Sequence, residues 1–248
     1  MAGFALNSTI RRRLLVNYRA DPSVVQTLLP PPFAPDLFDG QAVVGVCAIH
    51  LARIRPSFFG KLPLGVHNQG TAHRIAVTWL DDGARRHGVY IVRRDTSSAL
   101  VAWAGGRLFP GAHHHARFQV REDATSLALA MRADDGTEVA VDGEDADALP
   151  SRSMFGSLDA ASRFFEAGAL GYSPARSGGV EAFTLETARW QVRPFAVRSL
   201  VSSLFDDARQ FPRGSIAFDH ALVMRDTASV WRTSRGSVAA LDGRAQRG

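Results

Sequence analysis

Short apolar runs separated by Gly, Pro or Asp-Gly dominate this chain, and that punctuation predicts antiparallel β structure. Arg12–Tyr18 reads as a first strand and Ala42–Leu51, rich in Val and Ile, as a buried one. Further strands are predicted at Thr71–Trp79, Gly88–Arg93, Ala99–Gly105, His113–Val120, Ser126–Ala133, Glu138–Asp142, Ala182–Val192, Ser215–Met224 and Ser229–Trp231. Asp82-Gly83 and Asp135-Gly136 have the composition of hairpin turns. Asp21-Pro22 before SVVQTLL, closed by Pro30-Pro31-Pro32, predicts a short helix over 22–29: Asp caps, Pro opens, and the proline run stops it. Ser157–Leu170 places Leu158, Ala161, Phe164, Phe165 and Ala169 near helical spacing, and Ala196–Ala208 is read as another short helix. Asp142–Leu149 is acidic and reads as an exposed loop, and the small, polar tail from Ser234 as frayed. These elements describe one domain over residues 1–233, α+β and mainly antiparallel β, with a tail over 234–248.

Bulk numbers narrow the function classes. Of the 248 residues 46% are hydrophobic and 21% charged, enough to bury a sizeable core. No apolar run reaches the ~18 residues of a membrane span, and the basic residues of the N-terminal segment follow the apolar ones, the wrong order for a signal peptide. A cytoplasmic protein without a membrane partner is expected. Cys47 is the single cysteine, so neither an intrachain disulfide nor a multi-cysteine zinc site can form. Its apolar neighbours make it a buried structural thiol rather than a nucleophile. The net charge of +5 is carried by arginines spread along the chain, with no basic helix or aromatic platform, so no nucleic-acid partner is expected. Lys61 is the only lysine, in a Gly/Pro-flanked stretch that reads as an exposed loop.

Arg11–Phe33, RRRLLVNYRADPSVVQTLLPPPF, resembles the opening of the acetoacetate decarboxylase superfamily, an Arg-led strand ending in Tyr-Arg-x-Asp before a short helix and a proline-rich stop. Gly106-Arg107-Leu108-Phe109-Pro110 resembles the strand leading into that family's lysine motif. With HRIAVTWL, GVYIVRRDTSS and GRLFPGAHHHARF in that order, the chain resembles an uncharacterised bacterial family grouped with the superfamily. The resemblance implies an acetoacetate decarboxylase-like cone-shaped β-barrel with peripheral helices around a central cavity. It also implies departures. The Schiff-base lysines fall near His114 and His115, the catalytic glutamates on Cys47 and near Asn68, and only the arginine survives, as Arg11. Without that amine and those acids, acetoacetate decarboxylation by the family's mechanism is not expected.

The remaining chemistry lies in histidines and arginines. On a strand, His113 and His115 share one face and His114 takes the other. Three readings stay open: hydrogen bonding to neighbours, acid/base work in a cavity on a carbon next to a carbonyl, or a metal site joined by His73 or His50. No HExxH-type motif supports the last, and no metal or cofactor is expected. Of Arg93 and Arg94 at most one faces a cavity, where a guanidinium can clamp a carboxylate; Arg107 and Arg11 are rivals. His73-Arg74 should send one side chain inward and one outward. Asp219-His220 reads as a structural hydrogen bond. Candidate site residues are thus His113, His114 and His115 for catalysis and Arg11, Arg94, Arg107 and His73 for substrate. The partner expected is a small carbonyl or carboxylate metabolite, handled by lyase- or isomerase-type proton transfer. A non-catalytic binding protein is the alternative, and association with further copies of the chain stays open.

Overall fold

The computed structural model describes residues 5–59, 65–105, 111–175 and 179–234. Lys61, Arg107 with its GRLFP motif, and the tail beyond Ser234 lie outside the described residues. Thirteen strands form one sheet: β1 Ala5–Ala20, β2 Ala34–Pro35, β3 Leu37–Phe38, β4 Gln41–Pro56, β5 Val66–Asp81, β6 Ala84–Thr96, β7 His114–Glu122, β8 Ser126–Ala133, β9 Glu138–Asp145, β10 Leu170–Pro174, β11 Val180–Thr187, β12 Arg193–Ser202 and β13 Ile216–Ser234. The helices are α1 Pro22–Gln26, α2 Ala99–Ala104 and α3 Leu158–Ala167.

Five long strands organise the rest. β13, β1, β4, β5 and β6 lie side by side, and this common wall closes into a ring twice. On one side β10 joins β6 and β11 returns to β13. On the other, β7, β8, β9 and β12 run from β6 back to β13. Closure leaves the long strands without free edges. It also explains why they carry apolar residues on both faces: Leu14, Val16, Val44, Val46, Ile75 and Val77 pack into one core, Leu15, Val43, Cys47, Ala76 and Leu222 into the other. The result is a mainly antiparallel α+β cone-like barrel.

Local chemistry sets the helix ends. Asp21 accepts from the Ser23 amide at the start of α1, and Ser157 accepts from the Ala160 amide at the start of α3. The same capping corrects the strand expected at Ala99–Gly105. Ser98 accepts from the Val101 amide, and 99–104 coil into α2. The helix expected at Ala196–Ala208 is also corrected. Arg193–Ser202 is strand β12, paired to β9 and β13, with Arg198 bonded to Asp142 at 2.6 Å and to Glu144 at 3.1 Å. Those pairings draw Asp142–Asp145 into β9 rather than a loop. Tertiary strand pairing overrode a weak local helix pattern in the first case and acidity in the second.

His73 and Arg74 are both buried, against the expectation that one faces outward. His73 points into the second ring, where its Nε2 lies 3.2 Å from Ser202 Oγ and its ring meets Phe205 edge-on. It is therefore a core residue that lies outside the lining of the cavity in the ring closed by β10 and β11. Burial, with a smaller push from Arg93, lowers its pKa to about 3. The folded state thus keeps His73 neutral while the unfolded chain protonates it below about pH 6.5. Stability is accordingly lost as pH falls from 6.5 towards 3, by at most about 1.4 kcal/mol per pH unit. The His73→Leu variant is expected to flatten the fall of Tm with pH across that window; an unchanged slope would assign the acid sensitivity elsewhere.

Gly45 of β4 tests the packing of the common wall. A Cβ there would lie 2.3 Å from the Val16 carbonyl oxygen and 3.2 Å from Asn17 Oδ1. The Gly45→Ala variant is expected to lose about 1–3 kcal/mol in urea unfolding, and a neutral result would show that β1 and β4 are not held this closely.

Candidate functional site

The ring closed by β10 and β11 encloses a cavity of about 560 Å³. Its wall is mostly apolar, with Ile49, Leu51, Ile54, Ile91, Leu185 and Trp231 among the lining residues. Four arginines interrupt it: Arg13 from β1, Arg74 from β5, Arg94 from β6 and Arg232 from β13, the last paired with Glu186. Each of the first three stacks on a ring. Arg74 lies 4.9 Å from the Phe165 centroid, Arg94 4.3 Å from Phe183 and Arg13 5.6 Å from Trp190. Stacking holds a guanidinium by its face and leaves its edge N–H groups free to donate. Gly171 of β10 makes this possible for Arg94, because a Cβ there would meet the Phe183 ring at 2.1 Å.

Arg74 is the most deeply placed of the three, at 4% exposure. Its orientation is set by a row of residues crossing four adjacent strands: His220 on β13, Asn17 on β1, Gly45 on β4 and Arg74 on β5. Gly45 has no side chain to block the row, so Arg74 reaches across β4 and donates to Asn17 Oδ1 at 2.5 Å. Asn17 is fixed from its other end. Its Nδ2 donates to the Leu15 carbonyl at 3.2 Å and lies 3.0 Å from His220 Nε2. His220 Nδ1 lies 2.7 Å from Asp219 Oδ2, so the neutral tautomer that donates to Asp219 accepts from Asn17. Ser153, the Met154 amide and Arg19 all donate to Asp219. Burial by itself would raise the Asp219 pKa, but the bonds from His220, Ser153 and Met154 outweigh it and hold the carboxyl at about 2. The Asp219-His220 pair read from the sequence as structural therefore continues to a cavity cation.

The arginines have few charge partners. Among the described residues no carboxylate bonds Arg13, Arg74 or Arg94, and the buried Nε atoms of Arg13 and Arg74 have no hydrogen-bond partner. Arg94 donates to Ser173 Oγ through Nε at 3.1 Å and through a terminal nitrogen at 2.8 Å. Burial lowers the pKa of both Arg74 and Arg94 to about 10, opposed at Arg74 by Cys47 and at Arg94 by Cys47 and Glu181. Both remain cations at neutral pH. Asp95, also on the lining, is taken up by Arg93, and Glu186 by Arg232.

The expected site residues separate in this geometry. Arg94 and His113 line the cavity. His113 is half-buried, with Nδ1 3.0 Å from the Gly111 carbonyl oxygen. His114 and His115 begin β7, are exposed and stand outside the lining, because β7 turns into the second ring. Arg11 is likewise displaced. It is 56% exposed and pairs with Asp226 at 2.8 Å. A register shift between Ile10 and Arg12 divides the Arg triplet: Arg11 meets solvent, Arg12 is buried against Glu122 and Gln69, and Arg13 enters the cavity. Cys47 and Asn68, on and near which the resemblance led the catalytic glutamates to be expected, both line the cavity. Among the described residues no three His, Cys, Asp or Glu side chains gather to hold a metal.

Arg13 and Arg74 were not singled out as ligands from the sequence. Arg13 stands in the Arg11–Arg13 run and Arg74 beside His73, and only strand register distinguishes members of such runs.

The fold has solved relatives. The acetoacetate decarboxylase of Legionella pneumophila subsp. pneumophila str. Philadelphia 1 superposes with a TM-score of 0.58 at 10% identity, over 94% of this chain and 90% of that one. An acetoacetate decarboxylase-like enzyme from Sphingomonas wittichii RW1 gives 0.56 at 13% identity, over 95% and 92%. The enduracididine biosynthesis enzyme MppR complexed with pyruvate gives 0.53 at 12% identity, over 94% and 91%. None of the curated proteins matches the chain. The family model for DUF2071, described as an uncharacterized conserved protein, matches residues 7–223. This chain is a member of the DUF2071 family, built on the acetoacetate decarboxylase-like fold.

Proposed function

We propose that this chain holds a small carbonyl- or carboxylate-bearing metabolite in the β10–β11 cavity and moves a proton on it without a Schiff base. The observation that carries this reading is Arg74: a buried cation, oriented by Asn17, with no carboxylate partner and an unsatisfied Nε. A buried charge left unpaired costs several kcal/mol, and a ligand carboxylate supplies the missing partner. Arg94 is a second guanidinium of the same kind. In this reading His113, an imidazole on the lining, takes a proton from a carbon next to a carbonyl, while an arginine stabilises the negative charge that develops. The described lining contains no lysine, which supports lyase- or isomerase-type chemistry of another kind than ketimine formation.

The mostly apolar wall, and the tie between His113 and the Gly111 carbonyl, favour a second reading in which the cavity binds its ligand and performs no reaction.

Pyruvate, the ligand of the MppR complex, is the first probe. Calorimetric titration of the full chain should show binding that weakens at least tenfold, about 1.4 kcal/mol, in Arg74→Met. The Asn17→Leu variant should fall between that variant and the parent, because the cation remains but loses its orienting bond. Exchange of the pyruvate methyl protons for solvent deuterium, followed by NMR, should be catalysed by the parent and abolished in His113→Ala with binding retained. Binding without exchange would establish the second reading. Absence of binding by pyruvate and by other small acids, or binding indifferent to Arg74→Met, would overturn both.

A further inference from the structure

We propose that the cavity is built for a small dicarboxylate, held at two separate stations, Arg74 with Arg13 at one and Arg94 at the other. This rests on the reading that the arginines take ligand carboxylates, and adds that the ligand carries two of them.

The two stations are constructed independently. Arg74 is braced against Phe165 of α3 and bonded to Asn17 of β1. Arg94 is braced against Phe183 of β11 and bonded to Ser173 of β10. Their strands are neighbours, but Arg94 stands opposite Ala72, two residues along β5 from Arg74. The electrostatics follow the same division. Arg13 acts on Arg74, whereas Arg94 responds to Glu181 and to neither of the other two arginines. Cys47 acts on both, consistent with a place on the wall between them.

The number of stations gives the count. Among the described residues the acids on the lining are Asp95 and Glu186, each bonded to an arginine of its own, and Glu166, which is exposed on α3. Glu181, which accepts from the Gly111 amide, acts on Arg94 from beyond the lining without bonding it. Each station thus keeps a guanidinium that no described carboxylate of the chain bonds, and a dicarboxylate supplies one group to each. Its planar groups also suit the free edges of ring-stacked guanidiniums, which bond carboxylates in bidentate fashion. A single tetrahedral phosphate would carry the charge but serve one station only.

Matched pairs test this without requiring turnover. Butyrate against succinate, and valerate against glutarate, differ by a methyl exchanged for a carboxylate. In calorimetric titrations of the full chain at fixed ionic strength, the diacid of at least one pair should bind ten times more tightly than its monoacid. Arg94→Met and Arg74→Met should each collapse that preference towards unity while circular dichroism stays unchanged. Equal binding of mono- and diacids would overturn the two-station inference and leave the carboxylate reading standing. Tighter binding of inorganic phosphate than of either diacid would overturn it in favour of a single anion site. No binding of any acid would overturn both.

Discussion

Five long strands with two apolar faces each impose the constraint on which this molecule depends. A strand buried on both sides needs cover on both sides, and the chain supplies it by closing the same wall into two rings. The second ring is filled by side chains of β7, β8, β9 and β12. The first is closed by the short strands β10 and β11 and is left partly empty, with about 560 Å³ of space. A packed core next to an unfilled one divides the labour. One ring provides stability, and the other can give up packing for a site.

What makes the unfilled ring chemically specific is the way its cations are held. A flexible arginine in an apolar cavity would pay both desolvation and side-chain entropy each time it met a ligand. Here Arg74 is fixed from behind by Asn17, His220 and Asp219, and Arg94 by Ser173, each with an aromatic ring beneath. The acid in this arrangement, Asp219, sits at the far end of the row, spent on His220 and Arg19 rather than on the cavity cation. Arg74 is thus oriented through the Asn17 amide and the His220 ring rather than by a carboxylate of the chain. This chain lines the centre of its first ring with arginines, together with Cys47 and Asn68.

The sequence was informative where signals are local. Both Asp-Gly hairpins join the expected strands, Asp21-Pro22 opens α1, and the apolar spacing of Ser157–Leu170 marks α3 within a few residues. It misled where pairing decides. Ala196–Ala208 has helix-compatible residues but its first half, through Ser202, is claimed by β9, and Ala99–Gly105 is apolar like a strand but is started as a helix by the Ser98 cap. The site was legible as residue runs and not as single residues. RRR, RR, HR and HHH each contain cavity or core groups, but one irregular pairing near Ile10 moves the cavity cation from Arg11 to Arg13, and the turn of β7 into the second ring carries His114 and His115 away from His113. Long-range register of this kind has no signature within a few residues of sequence. The row His220–Asn17–Gly45–Arg74 draws on four segments of the chain and is invisible until they are paired.

The most direct measurement is a crystal structure of the full chain with and without succinate. The expected result is density for one carboxylate against Arg74 and the other against Arg94, with Asn17 and Ser173 still bonded to those arginines and no protein carboxylate on either of them when the ligand is absent. A ligand-free structure in which Arg74 or Arg94 is paired with an acid of the chain itself, or density lying away from both, would contradict the reading of this cavity as an acid-binding site.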